Sequence, residues 1–527
     1  MMTDPITDPI ATTLAYHART KHHLDHYAKG PGALDWDAQP DAFRNWHGAG
    51  KTLLPREIEG VDIAWPQLDH PRPPRDFTLA SLGSLLRLCA GITAWKQYGP
   101  SRWSLRAHPS SGNLHPTETW LISAGVAGLS DGLHHYQPRD HSLERRAWND
   151  ASAPATPGVW LGYSSIAWRE AWKYGERAFR YCQLDMGHVL AALAYAAALH
   201  GWQARLLPLT SAETAARLGV DRAADFSGVE SEEAEVIVAL RPDAALPPAW
   251  AHWAGKPGLL DPKPMYDWPV IDEVALATRG TPPASEPATP LPAPLAVATA
   301  DLATSADLAA TRVILQRRSA QAFDGKSRMP NAVFRRLLAA MLPGGSPVWR
   351  MWPHAPRVHP VLLVHRVEGI DSGLYALPRS QAGAASLKQA MPDLFNWNPS
   401  NSAADSELPL YQLLAAKAER TARTLSCHQD IASHSAFAVM FIAEFAEPIQ
   451  ADPAAWRHLH WEAGMLGHCL TLAAEAAGWR GTGIGCFFDD AVHEVLGLTD
   501  TRYQVVYHFA VGIPVDDPRL TTLPAYD

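Results

Sequence analysis

Apolar and small residues recur with a helical period from Ala178 to Leu199, and the pattern returns from Ala455 onward. Each run is closed by a Gly-Trp pair, Gly201-Trp202 and Gly478-Trp479. The periodicity predicts a long, Ala-rich amphipathic helix with a glycine terminator, written twice. Ala-Phe-Arg-Tyr-Cys-Gln-Leu-Asp-Met-Gly, from Ala178, aligns without a gap on Ala-Trp-Arg-His-Leu-His-Trp-Glu-Ala-Gly, 277 positions further on at Ala455. A strand-turn-strand pattern is duplicated too: Gly-Leu-Ser-Asp-Gly-Leu-His-His-Tyr at Gly128 matches Gly-Ile-Asp-Ser-Gly-Leu-Tyr-Ala-Leu at Gly369. Two copies of an α+β unit follow. Between them, at 278–310, periodicity vanishes among Pro282, Pro283, Pro287, Pro290, Pro292 and Pro294, the signature of a linker. The chain divides into a polar leader (1–75), a first unit (76–277), the linker (278–310) and a second unit (311–527).

At 527 residues, two or three domains are expected, and 47% hydrophobic with 19% charged residues suits a globular protein. The net charge of -9, with no basic stripe among aromatics, excludes a nucleic-acid partner. His22, His23 and His26 beside Lys21 read as a solvated helix face. The beginning of the chain has no signal-peptide pattern, and the longest apolar stretch, Val189–Leu199, is too short to span a bilayer, so no membrane partner and a cytoplasmic location are expected. Cys89, Cys182, Cys427, Cys469 and Cys486 are odd in number, dispersed and without a CxxC pair, which argues against disulfides and structural zinc; no cluster has metal-ligand spacing.

Three segments carry chemistry. Arg317, Arg318, Ser319 and Gln321 lie where a helix feeds into a turn, and guanidinium and hydroxyl donors spaced this way suit a phosphate, although paired arginines at a helix end are more often surface features. Arg106, Pro109, Ser110, Ser111 and Asn113 form a polar loop before the apolar run Trp120-Leu121-Ile122, offering hydroxyls, an amide and backbone N–H groups to a planar ring; its plain reading is a Ser-Gly turn. The run Gly481, Gly483, Gly485 follows a helix and lacks the strand and acidic residue of a Rossmann fingerprint, so that reading is rejected. Asp185 and Glu462, at equivalent repeat positions beside Gly187 and Gly464, read as helix-packing or capping residues, and His188 and His468 as satisfied interior histidines.

Arg-Arg-Ser followed by Phe-Asp-Gly resembles the FMN-phosphate motif that opens nitroreductase domains, and Pro-Ser-Ser-Gly-Asn before a strand resembles the loop that completes the flavin site from a partner subunit. Gly483, Ile484 and Gly485 resemble the family's third signature, near the flavin ring, and Arg519 falls where the family places a basic phosphate contact. From about Leu79 to Leu240 the first half is similar to the SagB/ThcOx-type dehydrogenases, which oxidise thiazoline and oxazoline rings in peptides. The resemblance implies two nitroreductase-like domains, each a mixed central sheet flanked by helices, forming an intramolecular pseudo-dimer that remains open to further homodimerisation. Neither copy has a full set of signatures. The first half lacks Arg-Arg-Ser and has Ala204-Arg205-Leu206-Leu207 in place of the glycine run, whereas the second lacks Pro-Ser-Ser-Gly-Asn and has a Trp-rich stretch. A fused, diverged pair keeps one site and loses its mirror image, so one FMN per chain is expected.

Lys173 and Tyr174 match the catalytic pair of the azoline dehydrogenases, and the second copy has Gln450 and Ala451 at the repeat positions, so the pair is not a repeated structural feature. Dehydrogenation at carbon needs a base while hydride leaves. Either the ammonium lowers the tyrosine pKa and tyrosinate acts, or a desolvated lysine is itself the base.

Three functions stand open. The first is FMN-dependent dehydrogenation of a C–H or C–N centre in a small-molecule or peptide-derived substrate, with O2 taking the electrons; the short leader, without a winged-helix pattern, weakens the peptide case. A second is NAD(P)H-dependent reduction of nitro, quinone or activated alkene compounds, and the third is non-catalytic flavin binding, kept alive by Gln321 where the family's motif has a basic residue.

Overall fold

The computed structural model describes residues 6–58, 60–150, 157–241, 249–280, 308–344, 346–400 and 408–526. Most of the expected linker, 281–307, lies outside the described residues. The first half runs α1 (Pro9–Arg19), β1 (Gly50–Leu53), α2 (Leu79–Cys89), β2 (Ile92–Tyr98), β3 (Ser101–Arg106), β4 (Thr117–Ala124), β5 (Gly132–Gln137), β6 (Ser142–Trp148), β7 (Gly158–Ser165), α3 (Ala167–Tyr174), α4 (Ala178–Leu199), β8 (Arg205–Leu206) and β9 (Glu233–Ala239). The second contributes α5 (Ala310–Gln316), β10 (Val358–Val364), β11 (Gly373–Ala376), β12 (Tyr411–Ala415), β13 (Phe437–Glu444), α6 (Ala455–Ala476), β14 (Arg480–Ile484), α7 (Asp489–Leu496), β15 (Tyr503–Gly512) and β16 (Thr521–Leu523).

The duplication read from the helices extends to the sheets. The first follows the order β6-β5-β4-β7-β9-β8 and the second β12-β11-β10-β13-β15-β14, so strand for strand the halves coincide. The duplicated turn patterns lead into β5 and β11, each paired with the strand before it. The α+β class stands, and the sheets repeat the duplication read from the helices. One detail is corrected: expected to be mixed, each sheet pairs antiparallel in its named ladders, because neighbouring strands are joined by hairpins or run back after a helix.

The halves are not separable at the sheet level. From the leader, β1 pairs with the outer edge of the first sheet on β6, and at the other end of the chain β16 crosses back to pair with β2, which pairs with β3. From α1, Tyr16 packs edge-on against Phe179 and Trp456, one on each central helix. Full burial of a ring of that size contributes roughly 3 kcal/mol.

The helices α4 and α6 form the centre. They were expected to be amphipathic, yet in α4 every residue except Ala198 is buried, because it is covered by α6 on one side and by its own half's elements on the others. Its alanines keep the layers close, and it crosses α6 at glycine: a β-carbon on Gly187 would lie 2.8 Å from the Cα of Gly464. The helical segment Ala167–Leu199 is long and apolar enough to cross a membrane by length and composition, but it is almost entirely buried inside the fold, as a core helix is.

Candidate functional site

A cleft of about 990 Å³ opens between the halves, lined by loops and strand ends from both. The loop from Ala107 to Pro116 enters β4 as the sequence suggested. It is tightly wound, with Gly112, Asn113 and His115 all in the left-handed region. Ser110 Oγ accepts the His115 N–H at 2.8 Å, Asn113 Nδ2 donates to Ser104 O at 3.0 Å, and Asp185 on α4 accepts the Ser111 N–H and hydroxyl at 3.0 and 2.9 Å. The polar side chains expected to face a ligand therefore hold the loop's own shape. Asp185, read as a packing residue, lines the cleft and anchors this loop. Burial raises its carboxyl to about 7.

From the other half, α5 ends in Arg317, which reaches across to the first half. Its Nε donates to Ala107 O and its Nη2 to Arg106 O, both at 3.0 Å. Its Nη1 is buried against the cleft with no partner. An unpaired buried donor of this kind is costly, and a guanidinium so placed fits an anionic group such as a phosphate. Burial, reinforced by Arg318, pulls its pKa down to about 9. Arg318 lines the same wall but donates to Leu315 O, Arg317 O and Thr93. Ser319 and Gln321 line the cleft as exposed residues. Arg480, at the start of β14, was missed by sequence reasoning; it joins this cationic wall and pairs with Asp516 at 3.0 Å. The signal was its position immediately before the glycine run.

Two arginines expected to touch a ligand are engaged elsewhere in the structure. Arg519 is outside the residues lining the cleft: its side chain is 69% exposed and forms an ion pair with Asp517 at 2.7 Å, the tail turning it outward over Tyr98. Arg106 lines the cleft, but its Nη2 donates to Ala42 O at 2.6 Å with the guanidinium over the Phe43 ring, and its backbone carbonyl accepts from Arg317.

The glycine run lies on the edge strand β14. A β-carbon on Gly483 would come within 1.7 Å of the Tyr507 hydroxyl, and one on Gly485 within 2.5 Å of the Tyr181 ring, so both positions need glycine for close approach. Tyr181 donates to Gly485 O at 3.2 Å, and His188 meets Tyr507 Oη at 3.1 Å, again joining first half to second. His188 and His468 each leave Nδ1 without a partner, so neither is fully satisfied as expected; burial keeps both well toward the neutral form. The leader closes one side. His22, expected on a solvated helix, is buried in an extended segment bridged to Phe488, because the chain leaves α1 after Thr20.

Lys173 and Tyr174 end α3, half-buried beside the Gly112 turn. A β-carbon on Gly112 would stand 2.5 Å from Tyr174 Oη and 3.2 Å from Lys173 Nζ, so both polar tips approach this loop, Tyr174 among the residues lining the cleft and Lys173 just outside them. Burial lowers the Lys173 pKa, and burial followed by Glu170 raises that of Tyr174 well above its ordinary value. Of the two alternatives, these directions favour the lysine as the base, with the phenol held in its neutral form by burial. One turn earlier, Glu170 is fully buried with both carboxyl oxygens unpartnered, which pushes its pKa far up.

The pseudo-equivalent position differs. Glu462, the repeat partner of Asp185, accepts the Arg357 N–H at 3.1 Å and pairs with Arg379, whose guanidinium lies over Trp349. A smaller cavity of about 390 Å³ remains beside Gly201–Arg205, narrowed by Pro347 and Arg350.

Fold and site together define a fused pair of nitroreductase-like units sharing one composite cleft. Residues 314–513 match the Nitroreductase family, so the chain carries a nitroreductase-family domain in its second half. The fold extends over the whole chain: the crystal structure of an Anabaena variabilis protein assigned to the nitroreductases superposes with a TM-score of 0.66 at 21% identity, covering 96% of this chain and 99% of that one. Part of the chain is similar to indigoidine synthase of Dickeya dadantii, 30% identical over 122 residues, which is 23% of this chain and 8% of that protein. Another relative is the trifolitoxin-processing protein TfxB of Rhizobium leguminosarum bv. trifolii, 28% identical over 145 residues, covering 24% of this chain and 39% of that protein. The chain thus spans well under half the length of these two relatives.

Proposed function

We propose that the chain holds one FMN in the composite cleft and works as a dehydrogenase of a C–H or C–N centre. The observation that carries this reading is the convergence of Lys173 Nζ and Tyr174 Oη on Gly112, in the lining of the same cleft as Arg317 with its unpartnered Nη1. The anionic tail of the cofactor is assigned to Arg317 with Ser319 and Arg480, and its ring to the space between the Pro109–Asn113 loop and Gly483–Gly485. Bound there, FMN supplies a two-electron acceptor. We assign no second FMN to the pseudo-equivalent location, where Glu462 pairs with Arg379 and the cavity beside Gly201–Arg205 is about 390 Å³.

Lys173, whose ammonium burial makes easier to deprotonate, takes the substrate proton, and Tyr174 as a neutral phenol donates a hydrogen bond that orients the reacting group. Asp185 keeps the loop beneath them in place. The similarity of part of the chain to a trifolitoxin-processing protein supports a peptide-derived substrate.

The test is flavin stoichiometry by visible absorbance and mass spectrometry of released cofactor. About one FMN per chain, lost in Arg317→Ala, is expected for a composite single site. Two per chain would show that the mirror site is intact, and failure to take up added FMN would overturn the flavin reading. Rapid bleaching of bound flavin by NADH or NADPH would favour the reductase over the dehydrogenase.

A further inference from the structure

Cys427 and Cys486 are far apart in sequence, and nothing in their spacing marks them as partners. The fold brings them together. Phe488 N donates to Leu425 O at 2.9 Å and Gln429 Nε2 to Cys486 O at 3.2 Å, so the segments 425–429 and 485–488 run side by side. Both thiols are half-buried, both line the same wall of the cleft, and they stand close enough to act on one another's ionisation. Cys427 and His428 are held in the left-handed region, at φ 52° and 59°, an arrangement that costs non-glycine residues of order 1–3 kcal/mol each.

The surroundings divide the two roles. Arg177 donates to Gly485 O at 3.4 Å, placing a guanidinium beside Cys486. The neighbouring Cys427 thiol, with that guanidinium, draws the Cys486 thiol below its usual pKa, and the same pairing raises Cys427. Burial raises the other cysteines instead: Cys89 and Cys469 to about 12, and Cys182 well above its ordinary value. Reactivity follows thiolate character and access, which singles out Cys486.

We propose that Cys427 and Cys486 form a reversible disulfide in the wall of the cleft, with a peroxide as oxidant. The Cys486 thiolate attacks one peroxide oxygen; an S–O bond forms, the O–O bond breaks, and hydroxide leaves and is protonated to water. The Cys427 sulfur then displaces hydroxide from the sulfenic acid, forming the S–S bond, while its proton leaves with that hydroxide as a second water. Two thiols lose two electrons and one peroxide becomes two waters. The bond ties the 425–429 loop to the end of the glycine strand. Because the oxidant is added from solution, the step does not depend on the flavin reading.

The test treats the full chain with hydrogen peroxide and then alkylates it. The expected result is loss of two titratable thiols, an intact mass lower by two hydrogens, a linked peptide containing Cys427 and Cys486, and reversal by dithiothreitol. Cys427→Ser should stop at a sulfenic acid on Cys486, trapped by dimedone, and Cys486→Ser should leave Cys427 unoxidised. A wild-type peptide map in which both residues are alkylated separately, or linked to other cysteines, overturns the proposal whatever the variants do.

Discussion

Gly187 and Gly464 face each other where the central helices cross: a β-carbon on Gly187 would lie 2.2 Å from the carbonyl oxygen of Trp461, and one on Gly464 2.2 Å from that of Leu184. They occupy the same position in the two repeats, so the crossing is the pivot of the pseudo-dimer. Alanine at either place must push backbone away from backbone, for about 3 kcal/mol, the upper end of ordinary overpacking. Thermal or denaturant unfolding should show that loss in Gly187→Ala and Gly464→Ala. In Gly30→Ala, where a β-carbon meets nothing, stability should change by about 0.5 kcal/mol or less.

Lys173→Arg retains a cation but removes a base whose pKa burial lowers. The expected outcome is unchanged flavin content with turnover down by about two to four orders of magnitude. In the wild type the rate should rise with pH through the lysine's lowered pKa. Tyr174→Phe should lower turnover and leave that pH dependence in place. Loss of flavin from either variant would make the pair structural.

Folding raises the Asp185 carboxyl to about 7 from an ordinary 3.8, so between those values the native state holds a proton that the unfolded chain has released. Stability should therefore fall as pH rises from about 4 to 7 and level off above, by roughly 4 kcal/mol at most. Denaturant midpoints measured across this range should flatten in Asp185→Asn. A variant as pH-dependent as the wild type would remove Asp185 as the cause.

Arg519→Ala should leave flavin binding as it is, because the side chain is outward and paired with Asp517. Arg480→Ala, from the cleft wall, should weaken FMN binding by about tenfold or more, the scale of one charge-assisted contact. Equilibrium titration of both variants with FMN separates the two arginines.

The α+β class, the duplication and the three chemical segments were legible in the chain, since each depends on local order: helical period, turn residues and a repeat spaced by 277 positions. Even Arg317 and the Ser110-Ser111 loop could be named from neighbours in sequence. Only the tertiary structure showed that Arg317 reaches over to the carbonyls of Arg106 and Ala107, that Arg519 faces away, and that Cys427 meets Cys486. Those contacts join residues far apart in the chain, and no local pattern encodes them. Protonation was likewise decided by the fold. Burial holds Tyr174 neutral, lowers Lys173 and raises Asp185, because the cost of keeping a charge is set by what surrounds it after the chain has closed.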